Sequence, residues 1–220
     1  MVKEKIETFK VGASYIIGSY ILPGEPLNRI SKIVNRKIKL DITSCDRITR
    51  GVERGEFDLG LIENRPFLSE KLTYQKWIED ELVVCSKVEL PKTLKRSDLK
   101  RLNLITREES SPTKQTISLF FKKAGISYRD FHSTIRADNP TALIQGVKWS
   151  RPNINNPTIS ITSKIAIEDE IRDKKLYISR IENLIMRRTF YLVYYKDAFD
   201  SRKNSLLKNA IVSLIKTEKY

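Results

Sequence analysis

The chain has 220 residues, of which 40% are hydrophobic and 31% are charged, a balance that excludes a disordered or fibrous protein and predicts one large domain or two small lobes. The formal net charge of +14 favours anionic ligands, although the basic residues are spread along the chain. The densest basic run, residues 87–101, has no aromatic side chain, so we interpret it as a solvated surface rather than a nucleic-acid site.

The first part of the chain alternates strands with helices. A strand over Thr8–Ala13 precedes an apolar stretch with helical spacing that reaches Val34, and Pro23 and Pro26 predict a late start or a break in that helix. Three further elements follow: a strand at 38–43, a helix at 47–55 and a buried strand at 57–62. Strands joined by single helices favour parallel pairing, so this part predicts an α/β lobe.

The remainder of the chain predicts a second lobe with the same alternation. Two apolar runs, 74–78 and 82–86, are separated by three acidic residues at 79–81. The later predicted elements are strands at 102–106, 131–136, 158–162 and 184–195, and helices at 113–124, 140–147, 163–173 and 204–216.

Cysteine and histidine usage gives little support to metal or hydrolytic chemistry. Cys45 and Cys85 lie in different segments, and His132 is the single histidine of the chain. His132 falls at a predicted strand, where we expect a partly buried structural role. Cys45 begins a predicted helix; the helix dipole favours an oxidisable thiolate there, but a small buried side chain is the more common role. We expect no cofactor, no metal and no enzymatic activity.

Hydroxyl and amide side chains gather where predicted strands end and helices begin. Such positions offer unpaired N–H groups and partial positive charge, which favour carboxylate or phosphate ligands. The same residue types are ordinary N-caps, so each position has a purely structural alternative. The candidate ligand residues are Ser14, Tyr15, Thr43, Ser44, Glu63, Ser111, Thr113, Asn139 and Thr141.

Three segments of the chain occur in an order that resembles a known family. They are VGASYIIGSYILP, ITSCDRITRGVERGEFDLGLIE and LITREESSPTKQTISLFFKKAGI. In this order they resemble the effector-binding domain of LysR-type transcriptional regulators, and the likeness spans nearly the whole chain. The third segment resembles the family's Glu-Gly-Ser-Gly-Thr-Arg turn, present here as Glu109, Ser110, Ser111, Pro112, Thr113 and Lys114.

The resemblance implies an α/β fold of two Rossmann-like lobes of the periplasmic binding protein type 2 kind, with a small ligand between them. Lobe I would comprise residues 1–80 and 190–220, and lobe II residues 81–189, with crossing strands near 79–84 and 187–194. It singles out Ser14 and Ser111, which match family motifs in opposing lobes. The segment 149–157 is longer than the family's turn at this place, so the resemblance does not assign the ligand residues on that side of lobe II.

The function that this resemblance implies is sensing of a small, anionic metabolite, which controls transcription through a homodimer, or a tetramer in the full-length protein. We expect dimer contacts through the helices at 27–34 and 113–124. DNA would be contacted only through an N-terminal winged helix-turn-helix domain that this chain lacks.

Two other functions remain open on the same fold. One is a solute-binding protein of a transport system, and the other is an enzyme, for which Glu63 and Cys45 are the sole candidate groups. We find no secretory signal and no stretch near the roughly 18 apolar residues of a membrane span, so we expect a cytoplasmic protein without membrane contact.

Overall fold

The alternation of strands and helices produces an α/β protein. The computed structural model describes residues 8–65, 67–199 and 205–215. The chain divides into two compact units, unit 1 with Met1–Glu79 and Thr189–Tyr220, and unit 2 with Asp80–Arg188. Each unit is therefore formed around its own strands and helices.

Unit 1 contains a sheet whose strand order is β2-β1-β3-β10. Its elements are β1 (Thr8–Ala13), α1 (Glu25–Val34), β2 (Lys37–Ile42), α2 (Cys45–Glu53), β3 (Leu59–Ile62), the first part of β4 (Leu72–Ser86), the last part of β10 (Met186–Tyr195) and α6 (Ser205–Ile215). β1 pairs in parallel with β2 and β3, and β10 is antiparallel to β3. The predicted parallel pairing is confirmed, because each crossover contains a helix.

The predicted break near Pro23 is confirmed. A π-helical turn spans Ile17–Ile21, and α1 begins only at Glu25 with Pro26 in its first turn. Gly24 has a φ of 90°, a conformation that glycine adopts without steric cost. Pro26 is tolerated there because the first N–H groups of a helix have no intrahelical partner.

A close approach between α2 and the sheet explains two glycines of unit 1. The Phe57 ring lies against Gly12 of β1 and Gly51 of α2, and a Cβ atom at Gly51 would lie 2.4 Å from that ring. A side chain at either glycine would displace the ring. The core of this region consists of Cys45, Ile48, Val52, Phe57, Ile62, Leu72 and Val193.

The strands of unit 2 pair in the order β4-β8-β6-β7; in addition, β9 pairs with β4, and β5 pairs with β9. Its further elements are β5 (Thr93–Leu94), β6 (Asn103–Arg107), α3 (Pro112–Lys123), β7 (Ser133–Ala137), α4 (Pro140–Lys148), β8 (Thr158–Ser163), α5 (Glu168–Arg172) and β9 (Tyr177–Ile181). β6 is parallel to β7 and β8, whereas β4 is antiparallel to β8 and β9. The short strands β5 and β9 were not predicted.

β4 is one continuous strand in which the acidic residues 79–81 lie between the two apolar runs, so the strand expected near 79–84 is present. Two other sequence predictions need correction. His132 is exposed and precedes β7, so the partly buried strand histidine is wrong. The helix at 163–173 is reduced to a 3-10 turn and α5. The expected helix at 204–216 is present as α6, while Asn204 and Lys216 lie outside the described residues.

Candidate functional site

The carboxyl ends of three parallel strands of unit 1 meet at one edge of its sheet. Ser14 follows β1, Thr43 follows β2 and Glu63 follows β3. Backbone hydrogen bonds hold these turns together, since Ser14 N donates to Leu61 O at 2.9 Å and Thr43 N donates to Ala13 O at 3.0 Å. The edge therefore brings three of the candidate ligand residues together.

Burial separates the candidates of unit 1 into two groups. Ser14 is 1% exposed, and its hydroxyl has no hydrogen-bond partner among the described residues. Glu63 is also buried, and its carboxylate accepts the Ile16 N–H at 3.1 Å. Ser44 is exposed and caps α2 by accepting the Arg47 N–H, and Tyr15 is 39% exposed. Ser14 is the candidate whose burial has no structural explanation within unit 1.

The candidates of unit 2 lie at the corresponding edge of its own sheet, after β6 and β7. Ser111 is buried and caps α3 by accepting the Lys114 N–H at 3.4 Å. Asn139 is half-buried and caps α4 by accepting the Ala142 N–H at 2.7 Å. Thr113 is buried in the first turn of α3, whereas Thr141 is exposed in the first turn of α4. Capping accounts for Ser111 and Asn139 and leaves their second lone pair for another donor.

Two cations at this edge of unit 2 were missed by the sequence prediction. Arg107, the last residue of β6, is 5% exposed and makes a bidentate contact with Glu108 at 2.9 Å. Lys114 is 4% exposed, donates to Thr106 Oγ1 at 3.2 Å and lies over the Tyr128 ring. Burial lowers the pKa of the Lys114 ammonium, an effect that nearby Glu109 opposes. Both cations lie beside the N-terminus of α3, and each is paired with a neighbouring carboxylate, Arg107 with Glu108 at 2.9 Å and Lys114 with Glu109 at 3.6 Å.

A buried ionic network joins the two ends of unit 2. Arg188 of β10 donates through Nε to Asp80 Oδ2 of β4 at 2.8 Å, and both side chains are under 5% exposed. Ser163 Oγ donates to Asp80 Oδ1 at 2.8 Å, and Arg188 Nη1 donates to Thr113 Oγ1 at 3.0 Å. Thr113, a candidate ligand residue, is thus part of a structural network. The clue in the sequence was the pair of arginines at 187–188 inside an otherwise apolar strand.

Both cysteines are buried thiols. Cys45 is the first residue of α2 and is 3% exposed, the burial that the small-buried-side-chain alternative predicts. Burial raises the pKa of the Cys85 thiol to about 12. Within the described part of the chain, no group of three or more His, Cys, Asp or Glu residues is placed to hold a metal ion, and no helix is long and apolar enough to cross a membrane.

We expect the native chain to resist thiol reagents at neutral pH. A colourimetric disulfide reagent should modify neither Cys45 nor Cys85 in the folded protein and both in concentrated guanidinium chloride, because burial blocks access and disfavours the thiolate. The raised pKa of Cys85 also sets a pH dependence. Its contribution to stability is complete below the ordinary thiol pKa of about 8.5 and is lost as the pH rises towards 12. Rapid modification of the native protein would contradict this expectation.

Comparison with solved structures shows that the fold is of the periplasmic binding protein type 2 kind. The effector-binding domain of QuiR, solved in complex with shikimate, superposes with a TM-score of 0.73 at 17% identity, covering 97% of this chain and 99% of QuiR. The regulatory domain of CcmR from Synechocystis PCC6803, solved in complex with 2-PG, gives a TM-score of 0.72 at 18% identity, covering 96% of this chain and 98% of CcmR.

The sequence pattern of the LysR substrate binding domain matches residues 3–214, and the chain belongs to this family. A probable RuBisCO transcriptional regulator of Trichormus variabilis is 25% identical over 201 residues, which cover 89% of this chain and 58% of the regulator. The HTH-type transcriptional regulator CysL of Bacillus subtilis is 25% identical over 214 residues, covering 94% of this chain and 66% of CysL. This chain therefore spans about three fifths of the length of these relatives.

Proposed function

We propose that this chain is the effector-sensing domain of a LysR-type transcriptional regulator and that it binds a small anionic metabolite. The observation that carries the proposal is Ser14. Its hydroxyl is buried at the carboxyl end of β1 and has no hydrogen-bond partner in the described part of the chain. Buried hydroxyls are nearly always hydrogen-bonded in native proteins, so a bound polar group is its natural partner.

The electrostatics of unit 2 favour an anion. The helices α3 and α4 begin at Ser111 and Asn139, and their N-termini carry partial positive charge. Arg107 and Lys114 are buried at the same edge and could exchange their present partners, Glu108 and Glu109, for an anionic ligand. The ligands present with QuiR and CcmR, shikimate and 2-PG, support a small metabolite as the class of effector. Thr43, Glu63 and Thr141 complete the ligand set that we propose.

Regulation would follow from a difference in affinity between two conformations. An effector that binds one conformation of the domain better than another shifts their populations, and this shift reaches DNA through subunit contacts. We propose a homodimer, contact with DNA through another part of the full-length regulator, a cytoplasmic location and no catalytic role. Units 1 and 2 would be the two lobes of the sensor. The alternative of a transport solute-binding protein is not favoured, because the relatives reported above are transcriptional regulators.

A thermal-shift screen tests this proposal. Small carboxylates including shikimate, 2-PG, amino acids and inorganic anions are added to the chain, and the ligand that raises the Tm most is titrated. Ser14→Ala and Ser111→Ala should each raise the Kd of that ligand about 3- to 10-fold, the equivalent of one hydrogen bond. Without ligand, Ser14→Ala should not lower the Tm, because it removes a buried hydroxyl that has no hydrogen-bond partner among the described residues.

Ser127→Ala is the matched control for Ser111→Ala. Ser127 also caps a short helical segment of unit 2, where it accepts the Arg129 N–H, but it is exposed and lies outside the proposed site. It should leave the ligand Kd unchanged. A ligand Kd that is unchanged in both Ser14→Ala and Ser111→Ala would contradict the site assignment. If no small anion raises the Tm, the proposed function is contradicted.

A further inference from the structure

A cavity of unit 2 is lined by lysine and aromatic side chains. Its volume is about 470 Å³, within the range of small-ligand sites. The lining residues are Lys87, Lys148, Trp149, Lys174, Lys175 and Tyr177. None of them belongs to the effector site proposed above.

The topology of unit 2 places this cavity at the opposite edge of the sheet from Ser111 and Asn139. Lys87 directly follows β4, whose last residue Ser86 pairs with Ile159 near the start of β8 and with Tyr177 at the start of β9. The helix α4 begins beside the carboxyl end of β7 and ends at Lys148, so it carries Trp149 away from that end. The cavity is therefore at the amino ends of the strands, distinct from the effector edge.

The cavity has more positive than negative charge. Lys148 is paired with Glu170 at 3.3 Å and Lys175 with Asp173 at 2.9 Å. Lys87 donates to the Ser150 carbonyl at 3.1 Å, which compensates none of its charge. The Lys174 ammonium makes no hydrogen bond or ion pair with the described residues, whereas the Lys174 backbone N–H donates to Ile171 O at 3.1 Å in a tight turn before β9, where φ is 55°. Two of the four ammonium groups thus have no carboxylate partner.

The aromatic residues give the cavity an apolar surface for a planar group. Trp149, the C-cap residue that follows α4, is 79% exposed, although indole side chains are normally largely buried. Tyr177 is half-buried in the same cavity. The contact from Lys87 to Ser150 fixes the backbone next to Trp149. The ring therefore projects into the cavity region from an anchored position.

We propose that this cavity binds a small polyanion that carries a planar ring, of the nucleoside polyphosphate class. The ring would stack on Trp149, and the phosphates would bind the ammonium groups of Lys87, Lys174 and Lys175. Lysine binds phosphate as a compact point charge, and stacking of a base on an aromatic side chain contributes on the order of 1–3 kcal/mol. A neutral nucleoside lacks the phosphates that the lysines would bind, and an inorganic polyphosphate lacks the ring that would stack on Trp149.

Fluorescence of Trp149 tests the proposal directly. The chain has two tryptophans, so Trp77→Phe leaves Trp149 as the reporter. ATP should quench its fluorescence at submillimolar concentration, tripolyphosphate should bind about tenfold more weakly, and adenosine should not bind at the same concentrations. In calorimetry, Trp149→Leu should weaken the binding of ATP and leave the binding of tripolyphosphate unchanged.

A matched pair of variants separates the site from general charge effects. Lys174→Ser/Lys175→Ser should raise the Kd for ATP at least about tenfold, since each lost phosphate contact costs on the order of 1 kcal/mol or more. Lys122→Ser/Lys123→Ser removes the same charge from an exposed lysine pair at the end of α3 and should change the Kd less than twofold. Three results would overturn the proposal. They are an equal loss of ATP affinity in the two double variants, equal affinity for ATP and tripolyphosphate, and no quenching of Trp149 fluorescence by ATP. Weaker binding of ATP by Ser111→Ala would also overturn the proposal, because ATP would then bind at the effector edge rather than in this cavity.

Discussion

Replacing Arg188 with methionine should lower the free energy of unfolding by about 3–5 kcal/mol, measured by urea denaturation. The variant keeps a side chain of similar length but leaves the Asp80 carboxylate buried without its cation. Asp80 is fully buried, and a hydrogen bond from Ser163 does not neutralise its charge. The loss therefore reflects an uncompensated buried charge more than the value of the ion pair itself.

The neighbouring ion pair supplies a matched control. Arg180 donates to Glu81 through Nη2 at 2.8 Å, and Arg180 is about half exposed. Arg180→Met should cost only about 0–1 kcal/mol, as is usual for an exposed pair. The double variant Asp80→Asn/Arg188→Met should be more stable than Arg188→Met alone, because it removes both charges. Equal costs for Arg188→Met and Arg180→Met would show that burial does not govern the Asp80 network.

Replacing Phe121 with alanine should lower the free energy of unfolding by about 3–5 kcal/mol. Phe121 is 1% exposed, and its ring centroid lies 5.3 Å from that of Tyr128 and 5.9 Å from that of Phe131. Alanine would lose this burial and leave a cavity between α3 and the sheet. Chemical denaturation of the variant measures the loss, and a lower Tm should accompany it.

Leu119 is the control on the same helix. It is 63% exposed, so Leu119→Ala should change the free energy of unfolding by no more than about 0.5 kcal/mol. Phe121→Leu should have an intermediate effect because it retains much of the apolar volume. A loss below about 1 kcal/mol for Phe121→Ala would contradict the assignment of Phe121 as a core residue of unit 2.

Local patterns were sufficient to predict most elements. The strand Thr8–Ala13 was predicted with the bounds that the structure has, and the break near Pro23 follows from the fixed φ of proline. The positions of Ser14, Thr43 and Glu63 at one edge also followed from sequence, because parallel strands separated by helices must all end on the same side.

Long-range partners explain the predictions that were wrong or missing. The Asp80 network was missed because Asp80 lies within β4 beside Arg188, which is 108 positions away and neutralises its charge. β9 was missed because its pairing with the end of β4 joins segments that are also distant in sequence. His132 had no strong local pattern, and its exposure depends on where β7 begins.

The sequence by itself determined the α/β alternation, the helix starts and the strand ends at which polar side chains collect, since each depends on neighbours within a few residues. Only the tertiary structure decided which of those side chains are buried: Ser14 lost contact with water and Ser44 did not, although both follow a strand. Burial depends on atoms contributed by segments that are distant in sequence. Such segments cover Lys114 and Arg188 in unit 2, whereas none of the described segments covers Trp149, which remains exposed among lysines.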